Sequence, residues 1–532
     1  MFKNHPKGLI VLFMTEIWER FGFYTVLAIF VLYLNENFHW SEAAIGNVYG
    51  LFIATTFFLP LIGGWIADRF LGYGKTIIIG LCTMTVGYAL LATPTKAAWL
   101  LFLSLAVIAA GTGLYKANIY VLVGNLYTQS NAKLKDAAFS IFYMGINVGA
   151  FLGPIAASSI KTFMMDHYHL TLAHAYNAGF GAASIGLLIA ITTFLSFRRY
   201  HKMADFRVKK SGERPPKADA PLAQDTEHGG RRAQAGGEAT EASVKNPTSD
   251  LLSKADEKER IIALLIIFAS VIFFWMAYYQ NGYTLTLFAK DYTLSHVGRF
   301  TYLLFDPVSL LSILVVLLAF SFVIAKSATR KSRLVAGTVV AAALLVMIFK
   351  LTGFSDSNRI APESFQVFNP LFIIFLTPVL VAIWGFMARK SKEPTSPSKM
   401  AVGLNLEAVS FIIMIFASIG LPAYGAIAGL SFAHVTPYWL ISSYFAITMA
   451  ELFLSPIGLS FVSKVAPPRM AGAMMGAWFA AQATGSYLSG FVGRFFAEWQ
   501  LWQFFLLLVV TSVLSGLLVI AYLKRLKKVS AG

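Results

Sequence analysis

The sequence predicts an all-α protein that crosses a membrane many times. Of its 532 residues, 57% are hydrophobic and only 13% are charged, whereas ordinary soluble domains are about 25% charged. Apolar stretches of roughly 20 residues, long enough to cross a bilayer core as a helix, recur along the chain. Lys and Arg are concentrated in alternate loops, which is the pattern of a polytopic membrane protein with its basic loops in the cytoplasm.

The apolar stretches predict fourteen transmembrane helices. The first six lie at roughly 9–34, 44–67, 75–94, 98–124, 137–161 and 175–197. The other eight lie at roughly 261–288, 308–325, 334–351, 367–388, 400–421, 437–463, 471–493 and 501–523. With this order all basic loops fall on one side, so we expect a plasma-membrane (cell inner membrane) protein whose N- and C-termini are both cytoplasmic.

Residues 200–258 interrupt the helical pattern. Pro, Gly, Lys, Glu and Ala dominate there without apolar periodicity, which predicts a flexible cytoplasmic linker. The linker divides an N-terminal six-helix bundle, 1–199, from a C-terminal part, 259–532, in which residues at about 308–351 form an inserted transmembrane hairpin. Two helical bundles with a site near the membrane midplane are typical of secondary transporters.

Three charges stand inside the first apolar helix. Glu16, Glu19 and Arg20 follow i, i+3, i+4 spacing and therefore share one helix face. A charge at the bilayer centre costs at least a few kcal/mol, so we expect this face to point into the bundle. Two acids against one base leave one acid available to bind a proton. The alternative is a structural Glu–Arg pair without a transport role.

Three further charges interrupt other apolar helices. Lys116 is expected to meet the surplus carboxylate of the first helix, the alternative being that it reaches toward the cytoplasmic surface. Glu451 lies near the middle of its helix, whereas Glu407 lies closer to the cytoplasmic end and predicts an interhelix salt bridge. Tyr143 and Asn147 are four residues apart and can offer a hydroxyl and an amide from one face.

Composition also excludes several functions. The net charge of +17 is spread over alternate loops and forms no nucleic-acid-binding stripe. Cys82 is the only cysteine, which excludes an intrachain disulfide and a cysteine-based metal cluster. The predicted spans contain no nucleophile–base pair, metal-ligand set or phosphate-binding loop, so a membrane enzyme or a receptor is the weaker alternative to a transporter.

Several motifs together resemble those of the proton-dependent oligopeptide transporter (POT) family of the major facilitator superfamily. Its ExxER signature is similar to TEIWERFGFY, and its fourth-helix lysine motif is similar to GTGLYKAN. Other matches are FSIFYMGINVGAFLGP, ELFLSPIGLSFVSKVAPPRMAGAMMGAWF and the loop GGWIADRFLGYGK. The resemblance implies the major facilitator fold, two six-helix bundles plus an extra helical hairpin, and proton-coupled uptake of di- and tripeptides by alternating access.

The resemblance also implies roles for individual residues. The proton-coupling residues would be Glu16, Glu19, Arg20 and Lys116. The residues that line the peptide cavity would be Tyr24, Lys116, Tyr143, Asn147, Trp275, Asn369, Glu451, Ser455 and Trp478, with Glu451 facing the peptide amino end. Protons would be the coupling ion, without a metal or organic cofactor, and we expect the chain to act as a monomer in membrane lipid.

Four positions depart from the family pattern. Leu27 stands where many members have an arginine that contacts the peptide carboxylate, and Tyr279 stands where many have its glutamate gate partner. Because losing both members of a buried ion pair costs far less than losing one, the two changes predict a gate closed by apolar and aromatic packing. Phe57 replaces a cavity tyrosine, and Ala117 replaces the proline after the lysine.

These departures bear on the substrate. Without an arginine at position 27, Lys116 and Arg20 are the expected partners of a peptide carboxylate. The alternative substrate is another small solute, such as a nitrate-like anion or a modified amino acid, carried on the same fold. Glu451 favours a substrate with an amine, since a free carboxylate repels a simple anion.

Deleting most of residues 206–248 should leave the fold intact, because this polar segment cannot build a core of its own. We expect the purified deletion variant to elute as a monodisperse peak and to unfold at the temperature of the full chain. A Gly/Ser replacement of equal length is the matched control, and an aggregated deletion variant would contradict the linker interpretation.

Overall fold

The structure of the protein is a computed structural model that describes residues 5–127, 134–205, 254–324, 329–427, 430–467 and 470–531. Most of the predicted linker 200–258 lies outside these residues, so its flexibility stays a prediction. In the described part, apolar helices form two bundles, one on each side of the linker in sequence.

The first bundle contains six long helices. They are α1 (Lys7–Phe38), α2 (Glu42–Ile66), α3 (Tyr73–Leu91), α4 (Ala98–Asn125), α5 (Lys135–Tyr168) and α6 (Leu172–Ser196). A π-helical turn, Ala67–Leu71, extends α2, and Gly72 then turns the chain with a φ of 80°. The six bounds agree with the predicted spans to within a few residues. The exception is the C-terminal end of α5, which lies about two turns beyond the predicted end.

The C-terminal part contains eight long helices and several short ones. They are α7 (Lys254–Tyr278), α8 (Thr284–Asp291), α9 (Arg299–Tyr302), α10 (Pro307–Ile324), α11 (Arg330–Gly353), α12 (Phe368–Arg389), α13 (Ser396–Ala417), α14 (Pro437–Val465), α15 (Ala471–Gly493), α16 (Phe495–Glu498), α17 (Leu501–Ala521) and α18 (Leu523–Ala531). In the described residues fourteen helices therefore have 18 residues or more, as the sequence predicts. Twelve of them are long and apolar enough by themselves to cross a membrane, the exceptions being α10 and α15.

The predicted helix 261–288 is broken, which corrects the expectation of one continuous span. A 3₁₀ turn, Tyr279–Gly282, separates α7 from α8. The side chain of Gln280 bridges the break, because it accepts a hydrogen bond from Thr284 Oγ1 at 2.9 Å and donates to the Ser489 carbonyl at 2.9 Å. Gly282 leaves room for the hydroxyl of Tyr49 from the first bundle, which a Cβ would displace.

The inserted hairpin α10–α11 is joined to the bundle at a closed base. Strand β1 (His296–Val297) pairs antiparallel with β2 (Asn358–Arg359), so the chain enters and leaves the insertion at one place. Lys350 Nζ lies 3.1 Å from Asp306 Oδ1 and ties the two helices together. Helix α11 is otherwise exposed along most of its length, as expected for a surface that faces lipid.

The two bundles meet at the end of the molecule where α1 finishes, which we call the distal end. Gly46 at the start of α2 packs directly on Gly490 near the end of α15, so closely that a Cβ on either would overlap the other's carbonyl. Helix α1 is buried by α5 and α6 along most of its length. This packing places the charged face of α1 inside the protein.

Candidate functional site

The three charges of α1 form one buried cluster. Arg20 binds Glu19 through two contacts, Nε to Oε2 at 2.5 Å and Nη2 to Oε1 at 2.9 Å. The same Nε lies 3.2 Å from Oε1 of Glu16, which is the longer and weaker of the two ion pairs. The exposed fractions are 1% for Glu16, 0% for Glu19 and 6% for Arg20, so these charges interact in a medium with little water.

Tyr115 completes the cluster from α4. Its hydroxyl donates a hydrogen bond to Glu16 Oε2 at 2.7 Å. Sequence reasoning missed this residue, although it precedes the singled-out Lys116. The two carboxylates thus share one cation, Arg20, and Glu16 also accepts a hydrogen bond from the Tyr115 hydroxyl.

Lys116 does not form the predicted ion pair with the α1 cluster. Its Nζ lies 3.5 Å from the centre of the Phe57 ring on α2, in a cation–π contact. Among the described residues no carboxylate lies within 4 Å of this nitrogen, and Arg20, Glu19 and Glu16 act on it from further away.

Glu451 on α14 anchors a second buried cluster, in the other bundle. Its Oε2 accepts hydrogen bonds from Asn369 Nδ2 at 2.9 Å and from the Tyr278 hydroxyl at 3.0 Å. Asn369 Nδ2 also donates to Thr448 Oγ1 at 3.0 Å. In the part of the chain that the structure describes, no Lys, Arg or His nitrogen lies within 4 Å of this carboxylate.

Tyrosines connect the space between the two clusters. Tyr24 lies near both Arg20 and Glu451, and Tyr143 lies near both Glu451 and Tyr24. Asn147 is buried and donates from Nδ2 to the Tyr143 carbonyl at 2.9 Å. Two predicted site residues, Tyr24 and Tyr143, thus lie near the acid of the second bundle, and Tyr24 lies near the charges of the first as well.

The remaining predicted cavity residues occupy helices of the second bundle. Trp275 is buried, packs on the rings of its neighbours Tyr278 and Tyr279, and leaves its Nε1–H without a partner among the described residues. Trp478 is buried against Gly458. Ser455 is half-buried, one turn after Glu451 on the same helix. Sequence reasoning missed Tyr278, although it lies three residues after Trp275 and therefore on the same face.

Comparison with known families identifies this arrangement. The family model of the Major Facilitator Superfamily matches residues 12–418, and that of the POT family matches residues 345–504. The chain belongs to the Major Facilitator Superfamily, and part of its C-terminal half matches the POT family model. This is a family of transporters.

Individual POT relatives match almost the whole chain. The Di-/tripeptide transporter of Lactococcus lactis is 27% identical over 99% of this chain and 97% of its own length. The Peptide transporter YePEPT of Yersinia enterocolitica is 28% identical over 92% of this chain and 88% of its own. A crystal structure of peptide transporter POT in complex with sulfate superimposes with a TM-score of 0.71 at 25% identity, over 100% of this chain and 97% of that one.

Glu407 does not form the predicted interhelix salt bridge. It is fully buried on α13, and its Oε2 accepts a hydrogen bond from Ser512 of α17 at 3.0 Å. Its other oxygen has no partner among the described residues. Within the described ranges, no Lys, Arg or His nitrogen lies within 4 Å of this carboxylate.

The two residues expected at the gate are both buried. Leu27 and Tyr279 are each 7% exposed. The Tyr279 ring packs 6.1 Å from that of Phe57, its hydroxyl accepts from Gln482 Nε2 at 3.2 Å, and its carbonyl accepts from the Tyr49 hydroxyl. Tyr279 thus has an aromatic neighbour and hydrogen bonds around it, and its role as a gate stays a prediction.

Two ion pairs join the bundles at the distal end, at positions other than Leu27 and Tyr279. Lys161 Nζ of α5 lies 2.5 Å from Glu363 Oε1, in the 3₁₀ turn Pro362–Val367 before α12, and both side chains are buried. Lys290 Nζ of α8 lies 3.1 Å from Glu36 Oε1 of α1. Each bundle supplies one base and one acid; we call the two pairs the distal latch.

Lys161→Met should open the distal end, because it leaves the Glu363 carboxylate buried without a cation, at a cost of about 3–5 kcal/mol. Lys161→Met/Glu363→Met should restore closure, since replacing both charges by apolar groups of similar volume is often neutral or better. Closure is measured as the yield of a disulfide between cysteines introduced at Ser158 and Ser364, whose Oγ atoms are 3.2 Å apart, in a Cys82→Ser chain.

Asp356→Asn is the matched control for this experiment. It removes the exposed partner of Arg299, an ion pair that lies wholly within the C-terminal part. We expect the control to leave the disulfide yield unchanged. Equal yields in Lys161→Met and in the double variant would contradict a latching role for the pair.

Proposed function

We propose that this protein imports di- and tripeptides together with protons, by alternating access of one central site between its two bundles. The chain itself is the transport unit, and protons are the coupling ion without a metal or organic cofactor. The setting is the plasma membrane, with both termini in the cytoplasm. In that orientation the distal end faces outward.

One observation carries the peptide assignment. Glu451 in the second bundle has no cation within 4 Å, and Lys116 in the first has no carboxylate within 4 Å, among the described residues. An uncompensated charge away from water is costly, so each group favours a ligand of opposite sign. A peptide has an ammonium at one end and a carboxylate at the other, and it compensates both charges at once.

The α1 cluster supports proton coupling. Arg20 can neutralise only one of two buried carboxylates, and it binds Glu19 more closely than Glu16. The surplus negative charge is removed at least cost by a proton. Glu16 is the member of the cluster with the weaker ion pair, and we assign the transported proton to the pair of acids with Glu16 as its first acceptor.

Relatives support the same assignment. The Lactococcus and Yersinia proteins are named as di-/tripeptide and peptide transporters and match 99% and 92% of this chain. Simple anions fit the site less well, because the Glu451 carboxylate, held by neutral donors alone, would repel a nitrate-like ion. A modified amino acid with both an amine and a carboxylate remains the second candidate.

Proteoliposomes that contain the protein should accumulate dialanine when an inward proton gradient is imposed. Dissipating the gradient with a protonophore is the control and should reduce uptake to equilibration. Absence of uptake, together with absence of competition by any di- or tripeptide in a panel, would contradict the peptide assignment. Competition by nitrate or by free modified amino acids would favour the alternatives.

Glu16→Gln should abolish gradient-driven accumulation while leaving peptide counterflow, because glutamine mimics the protonated acid and cannot release a proton. Glu19→Gln is expected to do the same, with some loss of stability since it also weakens the Arg20 pair. The rate of gradient-driven accumulation and the rate of counterflow are both measured with radiolabelled dialanine in proteoliposomes.

Glu407→Gln is the matched control, a buried acid outside the site, and should accumulate peptide as the unmodified chain does. Normal accumulation by both the Glu16→Gln and the Glu19→Gln variant would contradict this assignment, and Glu451 would then be the expected proton acceptor.

A further inference from the structure

Phe57 contacts both Lys116 and Tyr279. Its ring centre lies 3.5 Å from Lys116 Nζ, which stands over the ring, and 6.1 Å from the Tyr279 ring centre. Tyr279 in turn accepts a hydrogen bond from Gln482. The Phe57 ring is thus packed against Tyr279 and presents its π face to the ammonium.

This contact has a different effect from an ion pair. A carboxylate beside Lys116 would neutralise its charge and compete with an incoming anion, whereas an aromatic ring only orients and partly desolvates it. Of Arg20 and Lys116, the two candidate partners of a substrate carboxylate, Arg20 is already bound to two acids. Lys116 has no carboxylate within 4 Å among the described residues, so its N–H donors are available to a ligand.

We propose that Phe57 is a positioning residue, which holds the Lys116 ammonium away from the α1 acids and ready for the carboxylate of the substrate. This inference rests on the proposed peptide transport. It also accounts for the absence of a hydroxyl at position 57, since a tyrosine there would offer its own donor to the same carboxylate. With Leu27 in place of an arginine, discrimination between free and blocked carboxyl ends then depends on the pair Phe57–Lys116.

Progressive fluorination of the Phe57 ring tests this role without changing its shape. Mono-, di- and trifluorophenylalanine are introduced at position 57 by nonsense suppression, and each variant is titrated in detergent with dialanine and with its C-terminal amide. Fluorine withdraws charge from the π face and weakens a cation–π contact stepwise. Affinity for dialanine should fall stepwise, by roughly 2- to 30-fold in total, while affinity for the amide stays constant.

The same series at Phe52 is the matched control. Phe52 lies on the same helix and packs on the rings of Phe23 and Phe30. We expect fluorination there to leave the ratio of the two affinities unchanged.

Two results would overturn the inference, and they are distinguishable. If the unmodified protein binds dialanine and fluorination at position 57 leaves the acid-to-amide ratio constant, Phe57 only packs, and peptide transport stands. If the unmodified protein binds neither probe, the proposed function fails and this inference fails with it.

Discussion

The rest of the structure depends on one electrostatic constraint, the surplus negative charge in the middle of α1. Two carboxylates share one arginine in a place that lipid must not reach. Helices α5 and α6 therefore cover α1, and α4 supplies a tyrosine hydroxyl where a second cation would have cancelled the charge. A cluster with one cation too few can hold a proton and release it, whereas a balanced cluster would be inert.

Acidic and basic side chains are also distributed between the two bundles. The central site keeps an acid in one bundle and a base in the other without pairing them, and the distal latch pairs an acid and a base twice between bundles. Among the described residues Lys116 and Glu451 have no partner of opposite charge, whereas the distal pairs join the bundles. The proposed binding of a peptide and the proposed latch would thus depend on the same interaction, an ion pair between the bundles.

Sequence reasoning recovered what depends on local periodicity and failed where partners come from distant segments. The fourteen helices and the shared face of Glu16, Glu19 and Arg20 follow from spacing along one helix. The ring contact of Lys116 was not predictable, because it depends on how α2 and α4 cross. Lys161 and Glu363 lie about 200 residues apart in different bundles, and no local pattern marks either as a partner of the other. The break after Tyr278 was signalled only by Asn-Gly in an otherwise apolar stretch.

The paired strands at the base of the α10–α11 hairpin bear on how such a protein can gain helices. Because β1 and β2 bring the entry and exit of the insertion side by side, the chain resumes its path into α12 from nearly the point at which it left. A hairpin crosses the membrane an even number of times, so every later helix keeps its direction. The insertion can therefore be lengthened, exchanged or removed as a unit. The helices that follow it would keep their orientation in the membrane.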